Sequence, residues 1–597
     1  MKLNQLRDSD ETNTVRFKSG SIHDLTWTVI CIFPFLILIY LVASYGVNVP
    51  YMDQWELTSL FEKVAKGNLS FQDLFAQHNE HRLFFPRFIF IALAFLTHWN
   101  TKYEMYFSIL LIVVSYVLIQ KIFSRQVFRK DTEFWLISLS ISIIITSFVQ
   151  EQNLLWGFQV AWFFISFCLI LAIFLLTSRL RSIWLKILLG GTVCIIASFS
   201  SAHGLMTWLA VTPCILTLAH ESNKIKTRSV IKIVLCWSIL FVLSCSIYFH
   251  NYQKPPSHPD TLFFVKHLDV SLNYFFSLLG TPLFSASDLS WLPGLVITAN
   301  FFWFFIRYVQ NPYSEFSQQA SPWLSMGSFA FLFTLITAVG RSGFGATQAY
   351  SSRYTSITIL LIIALIQLWR LKSFKLSNYR WQYLAVTSIF TVLVSISSIN
   401  KISVAQEGRL DRGSSRSCLE ITASVDSGMD SCLQRLFPDP KLLRKRTKML
   451  NQIGIRQDPE SLNFLTAQNN SYGFIDSPQA SEQALSIKKT CLNCAQEITV
   501  AGWAILPNEL KPASLVLISH NPDKSEAETI LESASVRLPS PDVAEALQSK
   551  RYAQARWSLA VPIKQLPLGE TALKAWVYDG KGRQFIKLGE IKVQVEK

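Results

Sequence analysis

Runs of about 16 to 22 predominantly apolar residues recur between positions 27 and 399, and each is long enough to cross a bilayer hydrocarbon core. No water-facing fold hides that many such runs, so the chain reads as a polytopic α-helical membrane protein. Only 16% of its 597 residues are charged, against roughly 25% in a soluble protein, and its mean hydropathy is +0.30. The first run, 26–47, is too long for the apolar part of a signal peptide, and no small-x-small site precedes Tyr51-Met52-Asp53; it reads as a membrane anchor. The formal net charge of +15 does not point to nucleic acid, because Lys and Arg gather in short segments between the apolar runs. That distribution is a sign of membrane topology.

Charge placement sets the expected topology. Residues 1–25 carry Lys2, Arg7, Arg16 and Lys18 and are expected in the cytoplasm. The most basic connections are 121–130, 179–186, 224–232 and 370–380. All four face the cytoplasm only if a single crossing lies between 84 and 123. Hence 84–99 is expected to lie along the outer interface and 104–123 to be the second span. Further spans are expected at 134–149, 157–178, 184–200, 204–219, 231–249, 289–307, 322–340, 354–369 and 381–398, about 11 in all. An odd number puts the C-terminal third outside. The apolar stretch 262–279 is broken by Lys266, His267 and Asp269 and reads as another interfacial helix.

The expected domains are a cytoplasmic segment 1–25, a membrane domain 26–399 whose first outer loop is 48–103, an extracytoplasmic helical region 400–486 and a small β-sandwich 487–597. Residues 404–470 look helical and polar, with a basic face at Lys441, Arg444, Lys445, Arg446 and Lys448. Beyond 487, short alternating runs at 497–503, 514–519, 557–561 and 572–578 are separated by turn signals, as in a sandwich. Cys418, Cys432, Cys491 and Cys494 form an even set suited to disulfides in an oxidising compartment. Cys491-Leu-Asn-Cys494 is also readable as half of a zinc site or a redox pair, but no second CxxC or His pair accompanies it.

The outward connections carry the polar groups. The first loop opens on Asp53 and Glu56 and continues to Gln77-His78-Asn79-Glu80-His81-Arg82. Then come Gln150-Glu151-Gln152-Asn153, His203 at a short turn, His258, and Lys266 with His267. Last is Gly340-Arg341-Ser-Gly-Phe-Gly345, leading to Arg353 and Tyr354. Guanidinium groups present paired donors to phosphate oxygens, imidazoles add a donor or a proton, and a carboxylate at a span end can act as general base. Blander readings compete: Arg341 and Arg353 are equally placed to snorkel to the interface, and His203 to be satisfied by backbone. A zinc site at His78, Glu80 and His81 lacks the usual HExxH spacing, so no metal or other cofactor is indicated.

An anchoring span, an outer loop opening on an acidic residue, a second polar motif and an interfacial helix before span two resemble the GT-C superfamily of integral membrane glycosyltransferases. That superfamily includes protein mannosyltransferases and the transferases that add aminoarabinose to lipid A. Asp53 stands where the family has its catalytic acid, although Gln54 follows where many relatives carry Glu. The resemblance implies a polyprenyl-phosphate-linked sugar donor, a glycan, lipid or protein acceptor, and transfer on the outer face with inversion. It implies a bacterial inner (plasma) membrane as the location.

The resulting expectation makes Asp53 the base. Arg82, Arg341 and Arg353, supported by His78 and His81, hold the lipid phosphate, while Glu56, Glu80, Lys266, His267 and Tyr354 complete the substrate-binding set. Two other classes stay open: a non-catalytic carrier or flippase of a lipid-linked glycan, and an inactive glycan-binding scaffold.

Overall fold

The computed structural model describes residues 8–127, 130–223, 227–256, 258–284, 288–373, 380–422, 425, 428–458, 462–466, 472–478, 485–488, 497–521 and 528–596. Lys2, Arg7, Cys491 and Cys494 lie outside the described residues. The chain forms two compact units, one of residues 1–46, 70–91 and 102–405, the other of residues 47–69, 92–101 and 406–597. The loop 48–103, expected to belong to the membrane domain, is therefore divided between the two.

The first unit is helical. Among the described residues ten helices are long and apolar enough to cross a membrane, from His23–Tyr45 to Arg380–Ile421, which makes this an integral membrane protein. Several turn bulky apolar side chains outward, as Ile32, Phe33 and Leu36 do on the first and Ile239, Val242 and Leu243 on Thr227–Phe249. Such a surface suits lipid. Hydroxyl groups inside these helices are satisfied locally by the carbonyl one turn back, as in Ser138 to Phe134 and Thr334 to Ala330. The stretch expected as a span at 184–200 forms the shorter helix Ile183–Ser198, whose 16 residues reach about 24 Å. Phe84–Thr97 and Leu268–Gly280 are also short, with 14 and 13 residues.

The span expected to end at 398 runs on without a break as Arg380–Ile421, 42 residues long. Its second half is polar, and a hydropathy window stops where the apolar residues stop although the backbone does not.

The second unit is β-rich toward the C-terminus. One sheet is ordered Arg556–Pro562, Glu497–Leu506, Gly473–Ser477, with Lys511–Pro512 beside Glu497–Leu506. The other is ordered Asn463–Leu465, Gln584–Glu596, Gly569–Asp579, Leu515–His520, Thr529–Ser535, with Leu485–Lys488 also on Gln584–Glu596. Alternate residues such as Ile498, Val500, Trp557, Val561, Leu573, Ala575 and Val577 meet in one apolar core. Strands begin at Asn463, ahead of the expected boundary at 487. The early ones have three to five residues, too few for an alternation to register.

In the same unit, Trp55 is buried against Trp99, its ring 5.8 Å away, and its Nε1 donates to the Pro50 carbonyl at 3.0 Å. Cys418 and Cys432 form a disulfide that joins Arg380–Ile421 to the helix Asp430–Gln434. With its cysteines 14 positions apart in sequence, that bond is expected to contribute about 3 kcal/mol. Thermal unfolding of Cys418→Ser with and without reductant checks this: reductant should lower the midpoint of the wild type and leave the variant unmoved.

Candidate functional site

The polar island after the first span folds as a miniature hairpin in the first unit. Gln77–His78 pairs antiparallel with His81–Arg82, and Asn79-Glu80 forms the tip. Asn79 has φ +48°, a conformation Asn tolerates better than most residues. Alternation then sorts the side chains. Gln77 and Arg82, directly opposite each other, both reach toward the end of the helix Thr227–Phe249. Gln77 Nε2 donates to the carbonyl of Gln253 at 2.6 Å. The Arg82 guanidinium donates to those of Tyr248 (2.7 Å), His250 (2.6 Å) and Phe75 (2.9 Å). The Tyr248 hydroxyl returns a bond to the Glu80 carbonyl at 2.7 Å. Arg87 does similar work for the carbonyls of Asp73, Leu74 and Ala76.

Arg82 was expected among the phosphate ligands. It is buried, and three of its five N–H donors meet carbonyls at helix ends, so it braces the hairpin. Replacing it with Ala removes three such bonds and is expected to cost about 3 kcal/mol. Thermal unfolding of Arg82→Ala in detergent checks this.

The braced tip delivers Glu80 to Arg341, the last residue of the helix Glu315–Arg341, where a cation is favoured by the helix dipole. The two form a close ion pair, with side chains only 14% and 19% exposed. Nε2 of His81 lies 3.6 Å from one Glu80 oxygen and Nε2 of His258 3.4 Å from the other. Burial raises the Glu80 carboxyl, but the electrostatic pull of the His81 imidazole and of Arg341, with the Arg341 hydrogen bond, outweighs it and holds the group well below the usual carboxylate range. Burial depresses the His258 imidazole, with Arg341 and Lys254 adding to the effect and Glu80 opposing it.

Hydrogen bonds assign two imidazole tautomers. The Ala202 backbone N–H donates to His81 Nδ1 at 3.2 Å, so neutral His81 carries its proton on Nε2, the atom nearer Glu80. The Thr337 hydroxyl donates to the Phe333 carbonyl, so His203 Nε2 donates to Thr337 Oγ1 at 3.2 Å. His203 Nδ1 is thereby left as an acceptor, buried and without a hydrogen-bond partner. Trp162 lies between these groups, its ring 5.4 Å from His203 and 6.1 Å from Tyr354.

The remaining expected residues divide. Tyr354 is buried, its ring 6.2 Å from Phe333. Arg353 lies over the Tyr354 ring at 5.4 Å, and its Nε is buried without a hydrogen-bond partner. Asn153 fixes that turn by donating to the Arg353 carbonyl and to Ser356. His78 has its ring 5.2 Å from Phe158. Lys266 is exposed and pairs with Asp260 at 3.6 Å, while His267 lies exposed against Phe263. Asp53 and Glu56 belong to the second unit, on the turn Met52–Leu57; Asp53 is half-buried and Glu56 pairs with Arg446 at 3.3 Å. Gln54, in the position where Glu was the comparison, is buried and accepts the Tyr51 backbone N–H at 3.0 Å.

Sequence reading passed over Tyr274, Trp162 and Thr337. Tyr274 shares a buried face with Ser271 and Leu278, a three-to-four-residue period that marks the inner side of its helix. Among the described residues no three potential metal ligands converge. No family model, curated protein or solved structure matches this chain.

The Glu80 carboxylate contributes stability that is complete above its ordinary value near pH ~4 and is lost as pH falls through its depressed folded value. Glu80→Gln is therefore expected to unfold at lower temperature than wild type at pH 7, with the gap narrowing below pH ~4. Parallel melting curves of the two proteins across pH measure it.

Proposed function

We propose that the protein is a membrane glycosyltransferase with a GT-C-like helical core of about 11 spans, transferring a sugar from a polyprenyl-phosphate donor to a glycan, lipid or protein acceptor. The observation that carries this reading is the Glu80–Arg341 pair among the imidazoles of His81, His203 and His258 in a membrane unit. Ionisable groups at that position are costly to keep and mark a polar ligand. Buried polar atoms on His203 and Arg353 that lack partners add sockets for one.

In the proposed reaction an acceptor hydroxyl or amine attacks the anomeric carbon. The bond from that carbon to the phosphate oxygen breaks, configuration inverts, and the phosphate leaves with the electron pair. Arg341 and Arg353 stabilise the charge that grows on that phosphate, and preorganised cations in partly dry surroundings do so strongly. Glu80 holds Arg341 in place, and neutral His81 keeps Glu80 oriented. The proton of the acceptor passes to Asp53, a role that rests on the resemblance of the first loop. The reaction as written needs no metal or other cofactor.

Transfer takes place, in this proposal, on the extracytoplasmic side of a bacterial inner membrane, with the N-terminus in the cytoplasm and the C-terminal region outside. The Cys418–Cys432 disulfide supports that side, since such bonds persist in oxidising compartments.

Reconstitution in vesicles with labelled polyprenyl-phosphate sugars and envelope acceptors tests the reading. A new glycosidic bond should form, Asp53→Asn should abolish it while leaving donor binding intact, and Arg341→Ala should slow it about 100-fold. Label that crosses the vesicle membrane without a new bond would make the protein a carrier and sink the proposal.

A further inference from the structure

The second unit contains a cleft of about 430 Å³, within the size range of small-molecule sites, roughly 300–1,000 Å³. Separated parts of the chain build it: Asn48 and Trp99 from the first loop, the end of the helix Arg380–Ile421, the stretch Ile455 to Asp458, and the hairpin tip at Tyr578 to Arg583.

Its charges are arranged in an unusual way. Arg456 donates two hydrogen bonds to Asp458, Nε to Oδ2 at 3.0 Å and Nη2 to Oδ1 at 2.6 Å. Arg416 Nε donates to Glu420 at 2.7 Å, and the Tyr578 hydroxyl reaches the other Glu420 oxygen at 3.4 Å. Two of the three lining arginines are thus neutralised by carboxylates that also line the cleft, and Arg583 adds a single further charge. A site built for phosphate would present unneutralised cations, and a cation site would present unneutralised carboxylates. Here the planar groups instead hold one another in fixed orientations, and their unused N–H edges and lone pairs offer donors and acceptors side by side. Vicinal hydroxyls, each both donor and acceptor, complement such a set.

Two further features fit a preformed site. His98 and Trp99 at the rim have φ of +51° and +47°, and Arg583 has φ of +51°, strained positions for residues with side chains. Trp99 is itself held by Phe61, ring to ring at 5.0 Å.

We propose that this cleft is a saccharide-binding site, separate from the Glu80–Arg341 cluster and independent of whether that cluster transfers sugar. The test uses the full-length protein in lipid nanodiscs on an array of immobilised neutral, amino and acidic mono- and oligosaccharides. Binding to at least one class is expected, weakened roughly tenfold or more by Glu420→Gln and by Arg583→Ala, each removing one polar group. Melting curves of each variant show that it is folded. No saccharide retained above empty nanodiscs overturns the proposal, as does binding that Glu80→Gln abolishes and the cleft variants keep. A thermal shift with inorganic phosphate that Arg583→Ala removes, without saccharide binding, would make the cleft an anion site instead.

Discussion

The membrane unit's polar interior depends on one interaction, the ion pair between Glu80 and Arg341. Removing two charges from water costs several kcal/mol per ion, which close approach alone often fails to offset. Here the cost is met by surroundings that continue the pair in both directions. Imidazoles of His81 and His258 stand beside the carboxylate, and the helix Glu315–Arg341 ends at the guanidinium. Charge is therefore held in place by groups that are each anchored to a different part of the chain: a hairpin, a loop before Leu268–Gly280, and the end of a span. A pair so distributed fixes where those parts meet.

The same residue type does opposite work a few positions away. Arg82 and Arg87 face carbonyls at the ends of Thr227–Phe249 and Phe71–Phe75, where the helical bonding pattern runs out and acceptors are left over. An arginine that meets such a set is consumed by it. Arg341 meets a carboxylate, and Arg353 has at least one donor atom with no bond at all. Availability for a ligand is thus decided by the local supply of unpaired acceptors, which sequence spacing does not record.

Much of the architecture was legible nonetheless. Apolar runs located the long helices, and the stretch 84–99, expected along the outer interface, forms the 14-residue helix Phe84–Thr97. Alternation located the strands at 497, 515, 556 and 569 but named neither the longest, Gln584–Glu596, nor Thr529–Ser535. What stayed hidden was structure whose signal is spread over distance. Short strands at 463, 473 and 485 acquire their place only from neighbours in the sheets, and the loop 48–103 divides between units because Trp55 and Phe61 find Trp99. In the site, the cluster His78 to Arg82 stood out as a polar island. Its sorting did not, because a hairpin of two residues per strand decides which face each side chain takes, and nothing in five residues announces that hairpin.

The unpartnered atoms narrow the chemistry of a ligand for the membrane unit. His203 Nδ1, as the tautomer is assigned, wants a donor, and a Glu80 oxygen without a hydrogen bond wants another. Arg353 Nε wants an acceptor. Inorganic phosphate at neutral pH offers mostly acceptors, and a lipid chain offers neither. A molecule that joins a phosphate to a polyhydroxylated ring offers both, with the acceptors at one end and the donors at the other. That complementarity, and not the count of basic residues around the first loop, is the physical reason the proposed function puts a sugar phosphate, and not an isolated anion, at this cluster.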